Sequence, residues 1–164
     1  MKSYNILFLC TGNSARSILA EALATVLSNG KLIGYSAGSK PNGIVNPFAE
    51  ELAIQMGYPK EKLRSKSWDE FSKPDAPKMD FIITVCDNAK GESCPVWIGH
   101  PAIAHWGFPD PAAIEGSDEL KRKAFLEVME RLKMYIQTFL GLPIDELDRA
   151  AIQSHLKEIP KKHN

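Results

Sequence analysis

The stretch LFLCTGNSARS, Leu7 to Ser17, decides the fold: it sets a cysteine at the end of an apolar run and an arginine five intervening residues later. Asn5 to Leu9, NILFL, is short and apolar, which predicts a buried strand, and Ile18, Leu19, Ala22, Leu23 and Val26 recur at the spacing of one helix face. Between them lie Gly12 and Asn13, the residue types that best tolerate left-handed backbone angles. The segment therefore reads as strand, tight loop, helix. Backbone N–H groups of such a loop converge into a concave nest, and the helix that follows adds the positive end of its dipole. Residues Thr11, Gly12, Asn13, Ser14, Ala15, Arg16 and Ser17 are thus expected to bind an anion of phosphate size. Arg16 closes the nest with a planar fork of donors that matches a tetrahedral oxyanion.

A free cysteine has a pKa of about 8.5, lowered to roughly 3.5 to 7.5 at a helix N-terminus beside cationic groups. Cys10 is accordingly expected to be a thiolate nucleophile aimed at the anion in the nest. The competing reading is a cysteine that merely ends a buried strand. The internal Gly-Asn, the Ser after the arginine and the strand-to-helix setting favour the nucleophile.

At 164 residues the chain is expected to be one domain, able to bury about two-thirds of the surface of its unfolded form. Twenty basic and twenty acidic residues cancel, which argues against nucleic acid or a membrane surface as a partner found by bulk charge. No apolar stretch approaches a membrane span, and Lys2 is followed at once by a strand rather than by a signal-peptide pattern, so the expected location is cytoplasmic. Three cysteines do not make a structural disulfide framework.

Further along, Lys31 to Ala37 predicts a second strand, Asp80 to Val85 a third and Ala102 to Trp106 a weaker fourth. Asn46-Pro47 starts a helix that stops at Gly57, and Ser117 caps a long helix running to Gly141. Strands alternating with helices imply an α/β fold: a single domain with a four-stranded parallel sheet and helices on both faces. Ligands of such sheets bind outside the carboxyl ends of the strands, where Cys10, Cys86 and the loop after Trp106 all fall. Residues 1–142 hold this unit. Residues 143–164 read as an extension, with a thin helix over Asp145 to Glu158 and a basic tail, packed on the outside or partly disordered.

CTGNSARS, so near the N-terminus, resembles the arsenate reductases built on the low-molecular-weight protein tyrosine phosphatase fold. YSAG (Tyr35 to Gly38), TVCDNAKGESCPVW (Thr84 to Trp97) and HWGFPDPA (His105 to Ala112) follow in that family's order, so the resemblance covers roughly residues 4 to 140. It implies that Asp110, on a loop stiffened by Pro109 and Pro111, is the general acid. Taken alone, Asp-Pro is a turn signal. Ala112 and Ala113 stand where the family's phosphotyrosine enzymes carry ring-clasping aromatics, which favours a small naked oxyanion. The resemblance also raises a weak potassium site beneath the loop at Asn13, Glu21 and Ser36, although Trp68 stands where an Asp is expected, with Asp69 beside it. Ala15 replaces a frequent second loop cysteine.

Cys86 and Cys94 flank a polar segment containing Gly91, with seven residues between them. Two unremarkable cysteines and a zinc site with His100 and His105 are the alternatives to a redox pair. A reductase needs such extra thiols, because two electrons must leave the protein for each oxyanion reduced. The expected activity is reduction of arsenate to arsenite without a cofactor. Cys10 attacks arsenic, Arg16 stabilises the oxygens, Ser17 donates to the thiolate and Asp110 protonates the leaving oxygen. Disulfide exchange then passes through Cys86 to Cys94. Phosphate and sulfate would compete for the nest, and thioredoxin, a glutaredoxin or a low-molecular-weight thiol would restore the thiols. The rival readings are a low-molecular-weight protein tyrosine phosphatase, an oxyanion sensor without turnover, and a phosphocysteine-carrying transport subunit.

Overall fold

The computed structural model describes residues 2–86 and 99–163. Four strands, β1 (Tyr4–Cys10), β2 (Leu32–Gly38), β3 (Phe81–Thr84) and β4 (Ala102–His105), form one sheet in the order β2-β1-β3-β4, with every neighbouring pair parallel. The site-bearing strand β1 is therefore central. Such a strand is buried on both faces, which explains why Ile6 to Leu9 run apolar without alternation.

The α-helices among the described residues are α1 (Arg16–Leu27), α2 (Pro47–Gln55), α3 (Asp118–Leu140) and α4 (Arg149–Lys162). Ile6 and Phe8 of β1, with Phe81 and Ile83 of β3, face a core built with Ile18 and Leu19 of α1, Leu52 of α2, Phe125 and Leu132 of α3, and Ile152 and Leu156 of α4. The opposite face sets Leu7, Leu9 and Ile82 against Trp68 and Met79. Part of its cover is a 3-10 turn, Trp68–Phe71, rather than an α-helix. Asn46 accepts from the Phe48 N–H with Pro47 at the first helical position, and Ser117 accepts from the Leu120 N–H; both starts match their sequence signals.

The C-terminal extension is integrated into this core. Its helix runs over Arg149–Lys162, later than the thin pattern suggested, and buries Ile152, Leu156 and Ile159. Gln153 accepts a hydrogen bond from the backbone N–H of Ile103 on edge strand β4 (3.0 Å), and the Trp106 indole N–H donates to the Leu156 carbonyl (2.9 Å). A helix laid along an otherwise open sheet edge satisfies its backbone and blocks edge-to-edge pairing. No helix among the described residues is long and apolar enough to cross a membrane.

Candidate active site

The carboxyl end of β1 delivers Cys10, 5% exposed, directly into the loop. Asn13 takes a left-handed φ of 46°, the conformation its residue type tolerates, whereas Gly12 keeps a negative φ. The loop is clamped from outside by its carbonyls. Those of Thr11, Gly12 and Ser14 accept from the N–H groups of Lys40 (3.0 Å), Asn42 (3.2 Å) and Asn46 (2.9 Å). Gly38 explains the end of YSAG: a Cβ there would stand 2.4 Å from the Thr11 carbonyl oxygen, so only glycine lets β2 approach the loop.

With its carbonyls turned outward, the loop leaves its N–H groups for the interior. No described backbone carbonyl accepts from the N–H groups of Gly12 through Ser17. Helix α1 begins immediately at Arg16 and has no side-chain cap, so its first-turn N–H groups lack a capping acceptor. An anion nest over these residues is the reading this geometry invites.

Arg16 enters from α1, its side chain 15% exposed. One terminal nitrogen donates to the Phe108 carbonyl (2.9 Å), the other lies 3.9 Å from an Asp110 carboxylate oxygen, and the buried Nε–H has no partner among the described residues. The Phe108 ring is wedged between the Tyr135 ring of α3, 4.9 Å away between centroids, and the Arg131 guanidinium at 5.4 Å. Helix α3 thus fixes the carbonyl that aims Arg16. Asp110 also accepts from the Ala112 N–H (2.9 Å), a turn that holds its carboxyl at the mouth with its side chain 44% exposed.

Cys86, just beyond β3, meets Cys10 across the loop. Both are buried, and the Thr11 N–H donates to the Cys86 sulfur at 3.3 Å. Contact with Cys86, together with burial, pushes the Cys10 thiol above its ordinary value, against the Arg16 guanidinium and the Thr11 N–H, which pull it down. The second thiol thus opposes the acidifying influences that the sequence led us to expect. The loop lowers the pKa as foreseen, but two sulfurs in contact cannot both ionise, and that neighbour was invisible from the motif. Cys94 lies outside the described residues.

Ser17 is fully buried, and its hydroxyl oxygen accepts from the Asn13 amide at 2.8 Å. It makes no hydrogen bond to Cys10 in this arrangement; its contact braces the turn. Asn13 is itself held from the other side, its Oδ1 accepting from the Lys66 N–H at 2.9 Å. Of the alternative zinc ligands, His105 shares a hydrogen bond with Thr84 (2.7 Å) and His100 is exposed. No three metal-ligating side chains converge among the described residues.

Beneath the loop the potassium-site residues are engaged otherwise. Glu21, 4% exposed, accepts from the Ser36 hydroxyl at 2.5 Å and from the Tyr58 hydroxyl, and the Lys66 ammonium lies 3.8 Å from its Oε1. Burial pushes Glu21 up and Lys66 down, and each opposes the shift of the other. Trp68 packs in the apolar core and Asp69 is exposed, so neither supplies a fourth oxygen. The donor set does not fit a bound potassium ion, because a lysine already supplies the positive charge. Lys66, Tyr58 and the Phe108 carbonyl carried no sequence signal: a lysine between two serines reads as surface.

The sequence profile of the family described as low molecular weight phosphotyrosine protein phosphatase matches residues 5–154. A curated relative from Oceanobacillus iheyensis, named arsenate reductase, is 34% identical over 82% of this chain and 93% of its own. Among solved structures, an arsenate reductase from Archaeoglobus fulgidus superposes with a TM-score of 0.57 at 28% identity, covering 80% of this chain and 98% of that one. A structure described as an arsenate reductase in the phosphate binding state gives 0.57 at 27% identity, over 84% and 98%. By profile, sequence and fold together, the chain belongs to the low-molecular-weight phosphotyrosine protein phosphatase family.

Proposed function

We propose that this protein reduces arsenate to arsenite, with Cys10 as nucleophile and Cys86 as the thiol that completes the two-electron transfer. The observation that carries the reading is the contact of two buried sulfurs, Cys10 and Cys86, beside the loop that carries Arg16. A hydrolase needs only one. The names of the relatives, with one solved in a phosphate-binding state, support a tetrahedral oxyanion as the ligand.

Arsenate sits in the N–H groups of Gly12 to Ser17, and the Arg16 Nε–H, which has no acceptor among the described residues, donates to one of its oxygens. The Cys10 thiol passes its proton to an arsenate oxygen and attacks arsenic as the thiolate, and Asp110 supplies the second proton with which that oxygen leaves as water. Cys86 as thiolate then attacks the Cys10 sulfur. The S–S bond forms, the S–As bond breaks, and its electron pair stays on arsenic, which leaves as arsenite. Attack by Cys94 on Cys86 moves the disulfide outward and frees Cys10. A dithiol protein of the thioredoxin class, or a glutaredoxin or low-molecular-weight thiol, takes up the two oxidising equivalents.

The test is stoichiometric. Stoichiometric arsenate, added to the reduced protein without an external reductant, should consume two thiols per chain and release one arsenite. Unchanged thiol titre alongside steady hydrolysis of p-nitrophenyl phosphate would instead install the phosphatase reading, which shares Cys10, Arg16 and Asp110. Against that reading, the residues after Asp110-Pro111 are Ala112 and Ala113, which offer no ring to clasp an aryl phosphate.

A further inference from the structure

The polar network under the loop is unusual in being closed by a charge that belongs to the chain. Glu21 and Lys66 are both almost fully buried, with side chains 5% and 6% exposed. Both oxygens of the Glu21 carboxylate are engaged by hydroxyls from Ser36 and Tyr58. The Lys66 ammonium donates to the Arg64 carbonyl (2.8 Å) and faces Glu21 Oε1. The same residue's backbone N–H donates to Asn13, whose amide bonds Ser17 at the first turn of α1. One lysine therefore joins the buried carboxylate to the left-handed turn of the oxyanion loop.

We propose that Lys66 is the positioning residue of the oxyanion loop, a tethered ammonium that performs internally the charge compensation a bound monovalent cation would provide, so that anion binding is indifferent to potassium. A carboxylate this deeply buried is retained as an anion only with a compensating charge. Here that charge is tethered and cannot dissociate. The backbone N–H of the same lysine holds Asn13 at the left-handed turn of the loop. Glu21 and Lys66 also line a cavity of about 500 Å³, which gives a small cation a route to the carboxylate once the lysine side chain is cut back.

This inference rests on the oxyanion-binding reading of the loop, and the experiment separates the two. Phosphate affinity and the phosphate-induced rise in melting temperature are measured in potassium chloride and in choline chloride at equal ionic strength, so that chloride competes equally. The unmodified protein should give the same phosphate Kd in both salts to within about twofold. Lys66→Ala should weaken phosphate by about tenfold in choline, by loss of a supporting shell, and should regain much of it in potassium. Lys66→Arg should keep the indifference.

A potassium-specific tightening of about fivefold or more in the unmodified protein would overturn the proposal, as judged on the same affinity scale. So would Lys66→Ala binding phosphate as well as its parent in choline. Should Lys66→Ala fail to fold, the double variant Glu21→Gln/Lys66→Ala removes both charges. It should bind phosphate equally in the two salts, and potassium-dependence surviving there would place the cation elsewhere and sink the idea. Absence of any phosphate effect on the unmodified protein would instead overturn the oxyanion site itself, and this inference with it.

Discussion

The two sides of the Cys10–Ser17 loop differ in how fully their polar groups are satisfied. Behind it, Asn13, Ser17, Ser36, Tyr58, Glu21 and Lys66 are buried and joined in one network. In front of it, the backbone N–H groups of Gly12 to Ser17 and the Arg16 Nε–H find no acceptor among the described residues, and the sulfurs of Cys10 and Cys86 lie in contact. Buried donors are normally paired, and leaving one unpaired costs about 1–3 kcal/mol. The rear network supplies the rigidity that lets the front remain poised for a ligand carrying its own acceptors. The contrast teaches that the same eight residues are scaffold on one side and chemistry on the other.

The sharpest way to break this contrast is at the front. Cys10→Ser should lower both arsenate reduction and p-nitrophenyl phosphate hydrolysis by about a thousandfold or more, since a serine hydroxyl is not ionised at neutral pH. Its unfolding midpoint should stay near the parent's, because no bond of the rear network is touched. Appreciable activity in that variant would remove the nucleophile from the account.

Cys86→Ser divides the two activities. It should end arsenate turnover while hydrolysis, which water can complete, stays within a few-fold of the parent. The same variant reports on the thiol pair. Because Cys86 holds the Cys10 thiol up while Arg16 and Thr11 pull it down, removing the second sulfur should move the pH profile of iodoacetamide alkylation at Cys10 to lower pH. A profile that stays in place would show that burial, not the neighbour, controls the nucleophile. Asp110→Asn is smaller in reach: it should slow both reactions by about a hundredfold through loss of the proton donor, with phosphate affinity retained.

Much of the front was legible in the sequence because it is local. Cys10, the Gly-Asn turn and Arg16 lie within one short stretch, and strand-to-helix periodicity on either side dictates their arrangement. Asp110 was placed at the mouth by its position after the fourth strand, and its 3.9 Å approach to Arg16 agrees with that. The rear was not legible. Lys66 reaches Asn13 across 53 positions, and Tyr58 reaches Glu21 across 37, so no periodicity brings them together. The influence of Cys86 on Cys10 was hidden for the same reason: it comes from a partner 76 positions away in sequence whose contact only tertiary structure creates. The start of α4 was misjudged because its buried face is sparse. Only Ile152, Leu156 and Ile159 mark it, and Pro160 within the helix conceals where it ends.

The finest test of the contrast lies at Asn13, which belongs to both sides. Its side chain joins the Lys66 N–H to the Ser17 hydroxyl, and its backbone holds the left-handed φ of 46°. Asn13→Gly removes the two hydrogen bonds and leaves the backbone unstrained, whereas Asn13→Ala removes the bonds and also forces a Cβ-bearing residue without a local partner into that region. Loss of the bonds leaves one buried donor unsatisfied and should destabilise both variants by about 1–3 kcal/mol. The alanine variant should lose about 1 kcal/mol more, the cost of a left-handed backbone in an ordinary residue. Urea unfolding reads both quantities as shifts in midpoint at constant slope. If the two variants unfold together, the backbone angle carries no strain and the asparagine is there only for its amide. If neither is less stable than the parent, the rear network does not hold the loop, and the pre-organised front loses its support.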